Sequence, residues 1–100
     1  MIRVSVCYTA GDGKSFDLAY YSGTHMPLVR ERLTSYGLIR TEVDRGLGAG
    51  SGPFVAVGHL YFNTVDEFQK GMKAHGKELL GDVPNFTNIQ PQMQISEIVA

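Results

Sequence analysis

One hundred residues, 43% of them hydrophobic and 19% charged, suit an ordinary folded domain rather than a disordered chain. Nine basic and ten acidic side chains leave a net charge of -1 and no basic stripe for phosphates, which argues against a nucleic-acid partner. Cys7 is the only cysteine, which excludes an internal disulfide and a Cys-x-x-Cys centre. The N-terminal residues lack the basic and apolar regions of a signal peptide and no run reaches membrane-spanning length, so a cytoplasmic protein without a membrane partner is expected.

Ile2 to Tyr8 alternates, with Ile2, Val4, Val6 and Tyr8 on one face, which is the period of a strand. Gly11 to Lys14 reads as a turn, and Asp17 as the N-cap of a helix with an apolar stripe at Leu18, Tyr21, His25, Leu28, Val29 and Leu33. Gly23 weakens that helix. Pro27 has no N–H to donate and would clash with the Gly23 carbonyl, so the helix is expected to kink or restart, with Pro27 opening a second piece from Leu28 to Tyr36. His25 would then face inward at a helix N-terminus, whose partial positive charge disfavours a second positive charge on the ring. A neutral imidazole can accept a proton. Gly37 ends the helix as a C-terminal cap.

A second strand is expected over about Leu38 to Leu47, then a glycine-rich loop, Gly46 to Pro53, and an apolar strand from Phe54 to Phe62 at the centre of the sheet. Thr64 with Glu67 makes a capping box for a helix whose inner stripe is Val65, Phe68 and Met72. Gly76 is read as its stop, Lys77 to Leu80 as one further turn, Asp82 to Asn88 as a proline-containing loop, and Met93 to Val99 as the last strand. The order β-α-β-β-α-β predicts an α+β, ferredoxin-like sandwich: a four-stranded antiparallel sheet with both helices on one face, residues 1–100 forming one domain. The other face is expected to expose Val, Leu, Thr and Tyr side chains. Pairing two such sheets would remove them from water, giving a homodimer.

The helix motif Phe16-Asp17-x-x-Tyr20-Tyr21 followed by His25-x-Pro27-Leu28-Val29 resembles the ethyl tert-butyl ether degradation (EthD) family of the dimeric α+β barrel superfamily. The segment Asp82-Val83-Pro84-Asn85-Phe86 is similar to that family's Asp-x-x-x-Phe element. The resemblance implies a ferredoxin-like subunit, a back-to-back dimer, a pocket for a small organic molecule, a functional histidine at position 25 and an oxidoreductase context.

His25 is therefore the candidate general acid or base, or else a histidine satisfying the backbone beside a kink. Tyr21, four residues before it on the same side, is the candidate to position a ligand or donate a phenolic hydrogen bond, leaving Tyr20 to packing or a dimer contact. Asp82 is a candidate ligand contact or a loop cap, and Phe86 a pocket wall or a core residue. His59, in the buried strand with Val55, Val57 and Tyr61, is a minor substrate-binding candidate or a satisfied core histidine. His75 is explained as a helix C-terminal cation. No histidine–carboxylate spacing suggests a metal, and the alternating glycines at 46, 48, 50 and 52 lack a phosphate-loop pattern.

Two functions fit. One is an enzyme acting on a small, mostly apolar, oxygenated compound: isomerase, cyclase or lyase-like, or a cofactor-independent monooxygenase-like oxidoreductase. No nicotinamide or flavin fingerprint is present, so no cofactor is expected. The other is a non-catalytic dimeric module that binds such a compound and serves a larger oxygenase partner.

Overall fold

The computed structural model of the chain describes residues 1–48 and 50–100, so the glycine-rich loop expected at Gly46 to Pro53 includes one position outside the described residues. Four strands, β1 (Ile2–Thr9), β2 (Arg40–Arg45), β3 (Phe54–Phe62) and β4 (Gln92–Glu97), form one antiparallel sheet in the order β2-β3-β1-β4. The first helical region runs through α1 (Leu18–Tyr20), a π turn (Tyr21–His25) and α2 (Met26–Leu33), and closes with a 3-10 turn (Thr34–Tyr36). The second is α3 (Val65–Gly81), followed by a 3-10 turn at Val83–Asn85. This is the expected α+β, ferredoxin-like arrangement, with β2 shorter than predicted at both ends.

Local signals account for the element ends. Asp17 accepts from the Tyr20 N–H at 3.0 Å, and Thr64 and Glu67 close the capping box. Gly37 stands in the left-handed region at φ 102°, where the chain leaves the helix. The core lies between sheet and helices: Val4, Leu33 and Phe62 are fully buried, packed with Tyr8, Val29, Leu60 and Phe68.

Three expectations need correction. The first helix breaks where Gly23 and Pro27 put the break, and α2 restarts with Pro27 in its first turn, but the break is a π turn and His25 does not stand at a free helix N-terminus. The Met26 N–H reaches back to the Tyr21 carbonyl, an i→i−5 bond, and this widened turn takes up Pro27 while the backbone stays right-handed and helical. Gly76 does not stop α3, and His75 therefore lies inside the helix, near Glu78 and edge-on to Tyr36, rather than in a last turn. A glycine inside a helix costs about 1 kcal/mol against alanine. Burying Leu79 one turn further on returns more than that, roughly 1.5–3 kcal/mol, so the helix continues.

The third correction concerns the face of the sheet that no helix covers. The strand register puts Arg3, Ser5, Glu42, Asp44, Gln94 and Ser96 there, beside Val55, Val57, His59 and Tyr61. Leu60 and Thr41 turn to the helix side instead. The open face is therefore mostly polar. Arg40 covers the Tyr61 ring at 4.0 Å, and the Tyr61 hydroxyl donates to Glu42 at 2.6 Å.

Candidate functional site

The π turn decides what the first helix presents to the sheet. Tyr21 and His25, four apart in a widened turn, stack with ring centroids 5.6 Å apart at 16°, and both are buried. Tyr21 reaches across to β3, where its hydroxyl occupies the space a side chain at Gly58 would need. Burial, reinforced by the neighbouring Tyr8 phenol, pushes the titration of Tyr21 far upward, so the ring remains a neutral donor. Tyr8 is likewise pushed up by burial, to about 12.

The loop after α3 brings Asp82 to this point from 57 residues away: its Oδ2 lies 2.9 Å from His25 Nδ1. Backbone and side-chain bonds clamp that loop onto the approach to the first helix. Asp17 N–H donates to the Phe86 carbonyl at 2.7 Å, the Thr87 hydroxyl donates to the Ser15 carbonyl at 2.6 Å, and Asn88 bridges Ser15 and Gly13 at 2.9 Å each. Phe86 then fills the space behind the histidine, with its centroid 4.7 Å from the His25 ring and within 6 Å of Tyr8, Phe16 and Tyr21. At 3% exposure it is a core residue backing the site, and it does not line the cavity described below.

Asp82 collects three donors. The Tyr20 hydroxyl reaches Oδ1 at 2.7 Å, Asn85 Nδ2 reaches it at 2.8 Å, and His25 takes Oδ2. Burial opposes ionisation, but the hydrogen bonds from Asn85, His25 and Tyr20 outweigh it, and the carboxyl titrates below its ordinary value. The same carboxylate holds the Tyr20 phenol protonated, above its usual range. An ionised carboxylate only accepts, so Nδ1 of His25 carries the proton it donates. A neutral ring with Nδ1–H has its lone pair on Nε2, a nitrogen with no hydrogen-bond partner among the described residues.

Beside this ring lies a small cavity of about 60 Å³, walled by Tyr21, His25, Met26, Val29, Gly58 and Leu60 and by Leu79, Leu80 and Met93 beyond them. Almost all of the wall is apolar. An imidazole held in one tautomer, a neutral phenol and an apolar wall suit removal of a proton from a weak acid.

Of the residues singled out from the sequence, the structure brings His25, Tyr21, Asp82 and Phe86 together and leaves His59 apart. His59 is on the open face of the sheet, with Nδ1 3.1 Å from Ser5 Oγ and Nε2 2.7 Å from Asp44 Oδ2. That serine–histidine–aspartate chain lies in the middle of the sheet, where β1 pairs on both sides across Ser5 and its backbone N–H groups are spent in the ladder. Sequence reasoning missed Tyr20 and Asn85. Tyr20 does more than pack: it stacks on Phe86 and its hydroxyl holds Asp82. Asn85 stands three residues after Asp82, an Asx-type spacing that could have flagged it.

The fold is ferredoxin-like, with His25 held by Asp82 beside an apolar cavity between helix and sheet. The EthD domain profile matches residues 14–90, and the chain belongs to the EthD family. An EthD-like protein of Ralstonia eutropha JMP134 is 40% identical, with TM-score 0.90 over 99% of this chain and 92% of that one. An ethyl tert-butyl ether degradation family protein of Bacillus halodurans C-125 is 23% identical, with TM-score 0.68 over 99% of both chains. A protein of Bordetella bronchiseptica provisionally named an antibiotic biosynthesis monooxygenase shares the fold at TM-score 0.69 and 14% identity, over 99% of this chain and 97% of that one. No curated protein matches the sequence. Among the described residues no helix is long and apolar enough to cross a membrane.

Proposed function

We propose that the protein binds a small, mostly apolar, oxygen-bearing organic compound beside His25 and that Nε2 of His25 removes a proton from it. The observation that carries this reading is the 2.9 Å pairing of Nδ1 with Asp82, which leaves Nε2 as the free base beside an apolar wall. Asp82 fixes the tautomer and stabilises the imidazolium once the proton has moved. Tyr21, held as a neutral phenol, donates to the developing oxyanion of the substrate. A carbon acid next to a carbonyl would leave as an enolate, from which isomerisation, cyclisation or elimination can follow. The same electron-rich species is what a cofactor-independent oxygenation starts from, so the monooxygenase names of structural neighbours fit the same first step.

We place the working unit as a dimer through the open sheet face. Support comes from its partly apolar centre at Val55, Val57 and Tyr61 and from a buried Arg3 Nε that lacks a partner among the described residues. Light scattering at micromolar concentration should give twice the chain mass.

The proton step is tested with simple ketones in deuterated buffer, following α-proton exchange by NMR. Exchange above the buffer rate in the native protein, lost in His25→Gln while the fold persists, supports the base. Binding beside His25 without exchange supports instead a carrier that delivers the compound to a larger oxygenase. Exchange unchanged in His25→Gln refutes the assignment.

A further inference from the structure

The chamber beside His25 is too small for the ligands such sites usually hold. Its volume of about 60 Å³ is less than half of the roughly 150 Å³ that accepts one benzene ring. Only the reacting end of a molecule fits. Next to it lies a much larger groove, of about 610 Å³, within the range of small-molecule sites at roughly 300–1,000 Å³. Leu80, Val83, Pro91 and Met93 wall both spaces, so the chamber and the groove adjoin there.

The groove exists because the helices leave one edge of the sheet uncovered. Met93 and Ile95 pair with Val6 and Val4 on the helix side of the sheet, yet they are 46% and 42% exposed, and Leu80 at the end of α3 is 53% exposed. Ile89 and Pro84 extend the apolar floor, while Asn88 and Gln90 supply a polar rim. An apolar trough adjoining the His25 chamber is a place for the rest of a substrate.

Resting on the proton-transfer reading, we propose that the ligand is bipartite: a small carbonyl head beside Nε2 of His25 and an apolar body larger than a phenyl ring, laid along the Leu80–Met93 groove. The chamber fixes the chemistry and the groove fixes which molecules reach it. Compounds that fit wholly inside the chamber are accordingly poor ligands, and affinity comes from the body.

Homologous methyl ketones of increasing chain length, titrated by NMR against the native protein and the double variant Leu80→Gln/Met93→Gln, test this. Both positions are about half exposed, so the variant keeps its core. In the native protein each methylene that enters the groove should tighten binding about fourfold, the equivalent of ~0.8 kcal/mol per buried CH2. The longer ketones should shift both the His25 ring and the Met93 methyl signals. In the variant the dependence on length should flatten, whatever the change in the weak affinity for butanone, because Leu80 and Met93 also touch the chamber.

A flat length dependence in the native protein, or the same slope in the variant, overturns the bipartite ligand. If butanone still perturbs His25 in that case, the proton-transfer reading survives alone. Failure of every ketone to perturb His25 defeats both. A variant that loses self-association while its ketone affinities are unchanged makes the groove a contact between copies and also overturns the proposal.

Discussion

Asp82→Asn tests the site most sharply because it changes one atom and inverts a tautomer. In the native protein Oδ1 accepts from Tyr20 and Asn85 and Oδ2 accepts from His25. Asparagine keeps an oxygen for Tyr20 and Asn85 but presents NH2 to the histidine. Nδ1 must then accept, and the ring proton moves to Nε2, so the nitrogen proposed as the base becomes a donor. Hydrogen bonds to charged groups contribute about 1.5–3 kcal/mol. All three contacts persist in weaker, neutral form, the one to His25 with its direction reversed, so a net loss of about 2 kcal/mol and a Tm lower by about 10 °C are expected. Nitrogen-15 NMR of the imidazole reads the tautomer directly, and denaturant unfolding reads the stability. Proton exchange into a bound ketone should fall by about 10²–10⁴, the usual worth of a general base, while binding persists. A variant ring that keeps its lone pair on Nε2, or unchanged exchange, would refute the argument that Asp82 sets the base.

The same carboxylate gives an acid limb to stability: its folded titration is depressed, so its contribution is present above the ordinary value of 3.8 and is lost as pH falls through the lower folded value, a limb that Asp82→Asn should remove in pH-dependent urea unfolding. Gly58→Ala should drive the Tyr21 hydroxyl out of its place on β3, costing about 1–3 kcal/mol and shifting the His25 ring signals through the stacked pair; unaltered signals would show that Tyr21 is not wedged there. Gly37→Ala puts a Cβ at φ 102° into the Glu67 carboxylate, so a loss of at least 1 kcal/mol by thermal unfolding is expected, exceeding the ~1 kcal/mol loss from Thr64→Ala, which removes the hydroxyl of that capping box. Phe86→Ala should cost about 3–5 kcal/mol and loosen His25, seen as faster exchange of its ring proton, because Phe86 packs behind the ring rather than against a ligand.

The elements were legible in the chain because each rests on neighbours in sequence. Alternation in Ile2 to Tyr8, the Asp17 cap, the Thr64–Glu67 box and the glycine at 37 act within a few residues, and the structure has all of them where the pattern puts them. The Tyr21–His25 spacing likewise placed two rings on one side of a helix. The details that failed were balances between local preference and packing. Gly76 is a weak helix residue overruled by the burial of Leu79, and Pro27 is a helix breaker accommodated by a π turn that local propensity does not announce. The polar character of the open sheet face depended on register, since a one-residue shift exchanges the two faces of a strand.

Which groups meet at the site was decided only in three dimensions. Asp82 and His25 are 57 residues apart, and their contact depends on a loop fastened by Ser15, Thr87 and Asn88 across more than 70 positions of chain. Tyr20 points away from Tyr21, as neighbours on a helix must, and it still serves the site because Asp82 sits at the helix edge where it can bond Tyr20 on one side and His25 on the other. Periodicity encodes the faces of an element; the partner that a face finds is fixed by how the elements dock.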